Sequence, residues 1–139
     1  MIYLDTNVLL YATLTKVDNE YQKELAIKTV KTAIINNSLV LSNLTILEYT
    51  FVMKKAQEDD SKIKDALSFF KTFVKEEKAQ FSNKLIEFLN NDYSFKNSFD
   101  LYHIVFANSY NCETIATFDK GFKKFKDKSN INIKILKSF

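Results

Sequence analysis

The segment Met1-Ile2-Tyr3-Leu4-Asp5-Thr6-Asn7 decides the fold, because three apolar residues, enough for a short strand, run directly into a carboxylate. A run this short is ambiguous alone. Its neighbours resolve it. Tyr21, Leu25, Val30, Ala33 and Ile34 recur at spacings of three to five, as on one face of an amphipathic helix, and Leu39-Val40-Leu41 then reads as a second strand. Leu44, Leu47, Phe51 and Val52 mark another helix, and Ile63, Leu67, Phe70 and Val74 the next. Ala79 to Phe81 reads as a short third strand before a helix carrying Leu85, Ile86 and Leu89. Leu101, Ile104, Val105 and Asn108 define a mostly buried helix that Ser98 is placed to cap. Thr114 to Thr117 is a fourth strand, and Ile131, Ile133 and Ile135, alternating with Asn132 and Lys134, make a fifth. Strands alternating with helices require parallel crossovers, so the fold class is α/β, with a mostly parallel central sheet of four to five strands covered on both faces.

With 139 residues, 46% apolar and 27% charged, the chain has the balance of one globular domain spanning 1–139, able to bury a core without staples. It contains no Pro and one Gly, so Asn is expected to mark the breaks, at Asn36-Asn37, Asn90-Asn91 and Asn111. A single cysteine, Cys112, excludes an internal disulfide, and the first residues lack the basic start and apolar run of a secretion signal. A cytoplasmic location and no membrane partner are therefore expected; no apolar stretch approaches the roughly 18 to 20 residues that cross a bilayer. The formal charge is +3, and every one of the 20 basic residues is Lys. Bidentate guanidinium contacts are thus absent, and any positive field comes from ammonium groups. From residue 101 onward seven Lys face three acids, so the basic excess lies at the C-terminal end.

In open α/β sheets ligands bind beyond the carboxyl ends of the strands, where the strand order reverses. Four acids fall there. Asp5 follows the first strand and Asp119 follows the fourth, in Ala116-Thr117-Phe118-Asp119. Glu48 lies about a helical turn after the second strand, and Asp100 lies in the first turn of the helix before the fourth. Separations of 43, 52 and 19 residues mean that only folding can assemble them. Each also has an ordinary structural explanation. Asp5 and Asp119 stand where an Asp commonly caps the next helix, Thr45-x-x-Glu48 has the pattern of a capping box, and Asp100 complements a helix dipole. Against four separate explanations of that kind stand the apolar flanks of Asp5 and Asp100, since a carboxylate half-buried in such company needs compensation. Carboxylates sharing a cleft repel by about 3 kcal/mol per pair at about 5 Å with an effective dielectric near 20, so they call for a cation. Hard oxygen ligands, with only His103 and Cys112 as softer donors, point to Mg²⁺ or Mn²⁺ rather than zinc, and so to phosphodiester chemistry.

These residues resemble the PIN domain, in particular the small bacterial ribonuclease toxins of the VapC type. Met1 to Leu9 is similar to the family's opening strand with its first acid, and Glu48 stands in the place of the second. Ser98-Phe99-Asp100-Leu101-Tyr102-His103-Ile104 resembles the third motif, and Thr117-Phe118-Asp119-Lys120-Gly121-Phe122 the fourth. The resemblance spans almost the whole chain in order and spacing. It implies a PIN-like three-layer α/β/α sandwich and a metal-dependent endoribonuclease, with Asp5, Glu48, Asp100 and Asp119 as catalytic residues around one or two Mg²⁺ or Mn²⁺ ions. Thr117, together with Thr6 or Asn7, would orient a carboxylate or a metal-bound water. That water would attack phosphorus in line, leaving a 5′-phosphate and a 3′-hydroxyl. The substrate class implied is RNA, tRNA or rRNA among the choices; the partners implied are a cognate antitoxin protein and a second copy in a homodimer. A toxin and a housekeeping RNA-processing nuclease both remain open.

His103 departs from the family's usual apolar or aromatic residue three positions after the third acid; i,i+3 spacing could point it toward the cleft, to touch RNA or a leaving group, and the alternative is a packed or solvated imidazole with no catalytic role. Lys120, Lys123 and Lys124, with Lys126 and Lys128, are placed to follow a phosphate backbone, or else to form a solvated face. Phe122 and Phe125 among them read as core, as do Phe69, Phe70 and Phe73. A receiver-like phosphoacceptor domain would need an acidic pair after strand one and an Asp after strand three, yet Thr6-Asn7 follows Asp5 and no acid follows Phe81. Phosphatases with an Asp-x-Asp start fail at Asn7. A PIN-like module that binds RNA or protein without cutting would be expected to lack one of the acids, and all four are present.

Overall fold

The computed structural model describes residues 1–91, 96, 98–127 and 129–137. Four short strands, β1 (Ile2–Leu4), β2 (Leu39–Val40), β3 (Thr114–Thr117) and β4 (Asn132–Ile135), form one all-parallel sheet in the order β2-β1-β3-β4. Helices α1 (Thr6–Thr13), α2 (Glu20–Ile35), α3 (Asn43–Lys55), α4 (Asp60–Phe70), α5 (Phe81–Leu89) and α6 (Ser98–Ser109) supply the crossovers, with 3₁₀ turns at Lys71–Phe73 and Lys120–Phe125.

Because side chains alternate across a strand, each strand feeds two cores. Tyr3, Val40, Ile115 and Ile133 join Phe81 of α5, the inward face of α6, and Phe122 and Phe125. Leu4, Leu39, Leu41 and Ala116 join Val8 and Leu9 of α1, Ala26, Val30 and Ala33 of α2, Tyr49 and Met53 of α3, and Ile63 and Phe70 of α4. Helices on both faces of a parallel sheet make the α/β/α sandwich. Among the described residues no helix is long and apolar enough to cross a membrane.

Several local expectations are corrected. Ala79 to Phe81 is not a strand: it is a turn that opens α5, where Phe81 packs on Tyr102 and Phe106. Val74 leaves the helix proposed for it, and extends to form an isolated parallel bridge with Leu41, through the bonds Leu41 N to Phe73 O (3.0 Å) and Lys75 N to Leu41 O (3.0 Å). On α3 the buried face is Thr45, Tyr49 and Met53, while Leu47 and Phe51 are each 68% exposed. Periodicity allowed either stripe, and the polar Thr45 is drawn inward by a hydrogen bond to the Tyr3 hydroxyl. Tyr21 and Ile86 are likewise exposed, as is Phe69, while Phe70 is core. Asn37 and Asn111 adopt left-handed backbone (φ 51° and 53°) at helix ends, but Asn91 does not, and Gln57 (φ 58°) does so after α3. Ser98 is the first residue of α6.

Phe106 is fully buried among the rings of Tyr3, Phe81, Tyr102 and Tyr110. Phe106→Ala is expected to lower unfolding free energy by about 3–5 kcal/mol in urea titrations, with cooperativity kept.

Candidate active site

The sheet order places β1 beside β3, and the chain leaves their carboxyl ends in different directions, one toward β2 and the other toward β4. The crevice expected at such a reversal holds the acids. Asp5 continues the β1–β3 pairing, with its N–H on Ala116 O at 3.0 Å, and then caps α1 by accepting the Thr6 N–H on Oδ1 at 2.8 Å. Its other oxygen, Oδ2, accepts the Thr117 hydroxyl at 2.7 Å. Asp5 is therefore a helix cap and a member of the cluster at once. Burial pushes its carboxyl up, against the pull of His103, Thr117 and Thr6, and the Glu48 charge adds to the rise.

Thr117 is the junction between strands and acids. Besides donating to Asp5, its hydroxyl accepts the Asn7 side-chain amide at 3.2 Å and the Asp119 N–H at 3.0 Å, and Asn7 Oδ1 accepts the Phe118 N–H at 3.3 Å. Asp119 is exposed, and its Oδ1 caps the following 3₁₀ turn through Gly121 N–H at 2.7 Å. A Cβ at Gly121, the chain's one glycine, would sit 3.0 Å from that same oxygen.

Glu48 is not part of a capping box. Ser42 caps α3, accepting the Thr45 N–H at 3.2 Å, which leaves Glu48 a turn further along and facing the crevice. Its Oε1 accepts the Thr6 hydroxyl at 2.7 Å and lies 2.7 Å from His103 Nε2. Burial opposes charge on Glu48, yet the His103 hydrogen bond, the imidazole's charge and the Thr6 hydroxyl outweigh it and hold the carboxyl below the ordinary glutamate range. Asp100 is half-buried in the first turn of α6. Its carboxyl is pushed up to about 6, chiefly by burial and then by the charges of Asp5 and Asp119, with Lys124 and His103 opposing. Electrostatically, then, the third acid belongs with the first and the fourth.

His103 is turned inward rather than to solvent: it is 1% exposed, with Nδ1 hydrogen-bonded to the Tyr3 hydroxyl and Nε2 on Glu48, 3.9 Å from Asp5 Oδ1. The rings of Tyr3 and of its α6 neighbour Tyr102 pack against it, and it lies under the acids instead of facing outward. Lys120, Lys123, Lys124 and Lys126 are exposed along the turn after Asp119, with Phe122 and Phe125 beneath them in the core; Lys128 lies outside the described residues. Tyr3, Ser42 and Thr45, which brace this region, escaped the reading of the sequence. The available signals were a Tyr within an otherwise aliphatic strand and a Thr on a buried helix face.

Among the described residues no three Asp, Glu, His or Cys side chains are drawn together tightly enough to enclose a metal ion as they stand. The donor chemistry fits a hard divalent cation, since Mg²⁺ keeps several waters and needs only one or two direct carboxylates. A cavity of about 440 Å³ opens at the other end of the sheet, beside Met1, Ser38, Glu113 and Thr114, and contains none of these acids.

The chain belongs to the PIN domain family, which matches residues 2–128. Its backbone is similar to that of a structure described as VapBC2 from Rickettsia felis bound to a DNA fragment from their promoter, at 20% identity and a TM-score of 0.69, covering 99% of this chain and 100% of that one. It is also similar to FitAcB from Neisseria gonorrhoeae (17% identity, TM-score 0.65, 96% of each chain). A third is VapC20 from Mycobacterium tuberculosis, described as a sarcin-ricin loop cleaving toxin (16% identity, TM-score 0.66, 91% of this chain and 95% of that one). Among curated protein sequences none matches. Identities this low establish the shared fold.

The Asp100 carboxyl, normally near 3.8, is raised to about 6, so the folded chain binds the extra proton between about pH 4 and 6 and loses stability as pH rises through that window. In chelator, the stability of Asp100→Asn relative to wild type is expected to grow from about pH 4 to 6 and level off above, in urea titrations at each pH. Asp119→Asn should bring the Asp100 titration to lower pH, as read by side-chain carboxyl NMR.

Proposed function

We propose that this chain is a Mg²⁺- or Mn²⁺-dependent endoribonuclease and the toxin of a type II toxin–antitoxin pair. The observation that carries the reading is the linkage of the acids at one crevice: Thr6 and His103 connect Glu48 to Asp5, Thr117 connects Asp5 to Asp119, and Asp100 responds to the charges of Asp5 and Asp119. Asp5, Glu48, Asp100 and Asp119 would hold the cation. When bound, it supplies an acidified water as nucleophile and screens the charge that develops on phosphorus.

The protein's own groups do the rest. Thr117 and Thr6, each donating to a carboxylate oxygen, fix the directions in which the remaining lone pairs point. Asn7 holds Thr117 in place. Lys120, Lys123 and Lys124 present ammonium groups beside Asp119, suited to a polyanion approaching an open surface, and binding through them weakens as salt rises. The likeness to VapBC2 and FitAcB, and to VapC20, described as a sarcin-ricin loop cleaving toxin, supports a toxin that an antitoxin neutralises. Exposed Leu47 and Phe51, on one stripe of α3 beside Glu48, and exposed Phe99 before Asp100, offer the apolar surface that such a protein partner covers.

Asp→Asn is nearly isosteric and uncharged. Asp5→Asn, Asp100→Asn and Asp119→Asn are each expected to lower Mg²⁺-dependent RNA cleavage by about 10²-fold or more with the fold intact, on the scale of losing one preorganised electrostatic group. Growth arrest on expression, abolished by Asp5→Asn and relieved by the product of an adjacent small reading frame, would identify the toxin rather than a processing nuclease. Full activity in excess chelator, or unchanged turnover in Asp100→Asn, would overturn the assignment.

A further inference from the structure

Beneath the acids lies a polar cluster that the proposed chemistry does not use directly. Tyr3, Ser42 and Thr45 are 0% exposed and His103 is 1% exposed. The Tyr3 hydroxyl meets Ser42 Oγ at 2.7 Å, Thr45 Oγ1 at 3.0 Å and His103 Nδ1, and Ser42 and Thr45 meet one another at 3.1 Å. Burying four polar side chains is costly unless each is satisfied, and among the described residues every buried side-chain polar atom has a partner. A Phe and a Leu would fill the same volume without that cost. Among the described residues the cluster's one side-chain outlet is His103 Nε2, which meets Glu48.

The outlet is specific as to atom. The carboxylate can only accept, so Nε2 carries the proton. His103 and the Thr6 hydroxyl converge on the same oxygen, Oε1, and among the described residues Oε2 receives no protein donor. Two donors from different elements on one oxygen fix the rotamer of a side chain that would otherwise be free to turn on the surface of α3. We infer that Tyr3 and His103 form a buried arm, braced by Ser42 and Thr45, that positions Glu48 with Oε1 engaged and Oε2 left for the cation or its water. This rests on the nuclease reading above, and makes Tyr3 and His103 positioning residues that act through Glu48.

The test uses the full chain. His103 is its one histidine, so ¹⁵N-labelled protein gives a single imidazole spectrum. A protonated Nε2 is expected, with Glu48→Ala moving the Nε2 resonance and Tyr3→Phe moving Nδ1; a proton on Nδ1 alone, or a ring indifferent to both changes, overturns the arm. Tyr3→Phe and His103→Leu are each expected to weaken Mn²⁺ binding, read by electron paramagnetic resonance of the free ion, by about 10–100-fold, and to lower kcat while KM for RNA stays unchanged. His103→Gln, which keeps an N–H donor at the Nε2 position, should recover most of the loss. In a Glu48→Ala background Tyr3→Phe should cost no further Mn²⁺ affinity, because the arm acts through Glu48. An undiminished effect in that background, or wild-type affinity and kcat in Tyr3→Phe, overturns the positioning role while leaving the nuclease intact. If wild-type protein neither binds Mn²⁺ nor cleaves RNA, the nuclease reading fails instead, and the imidazole spectrum alone decides whether the arm exists.

Discussion

A carboxylate that is nearly buried must be hydrogen-bonded or neutralised, and the surroundings of Asp5 are organised by that requirement. Asp5 sits at the end of a central strand with 7% of its surface exposed. Its two oxygens are met by donors from different parts of the chain, the Thr6 amide at the start of α1 and the Thr117 hydroxyl at the end of β3. The same two threonines touch the neighbouring acids, Thr6 through its hydroxyl to Glu48 and Thr117 through the Asp119 amide. The bonds that make the burial of one acid tolerable therefore also tie it to the others.

The sheet order is what brings these donors together. Parallel pairing of Leu4 with Ala116 sets β1 and β3 level, so that Asp5 and Thr117 emerge at the same height although 112 residues separate them. Residues after Thr117 turn at once into a 3₁₀ segment capped by Asp119, and that turn lifts the exposed lysines to the rim of the crevice while sending Phe122 and Phe125 into the core.

The two cores differ in how they support this edge. Beneath α1 to α4 the packing is almost wholly apolar, with Tyr49 edge-on to Phe70. Beneath α6 it is aromatic and contains the polar cluster of Tyr3 and His103, which runs from the interior to the Glu48 carboxylate. Rigid surroundings on that side restrain the groups at the crevice, since a polar network in close-packed surroundings has few alternative arrangements.

Several features were legible in the linear order of residues. Short apolar runs at Ile2–Leu4 and Thr114–Thr117, the alternation of Ile131, Ile133 and Ile135, and carboxylates directly after strands are local properties, and period, turn chemistry and position relative to a strand end determine them. The placement of Asp5 and Asp119 at helix starts is local in the same sense. What only the tertiary structure decided depends on partners distant along the chain. Whether Leu47 and Phe51 or Thr45 and Tyr49 faced inward depended on partners such as the Tyr3 hydroxyl, which shares a hydrogen bond with Thr45 across 42 residues of chain. Val74, not Ala79 to Phe81, bridges to Leu41 beside β2, because that backbone alone reaches it. His103 could be placed on a helix face from its spacing, but its burial beneath Glu48, 55 residues away, follows from how α6 docks on the sheet, which no local pattern encodes.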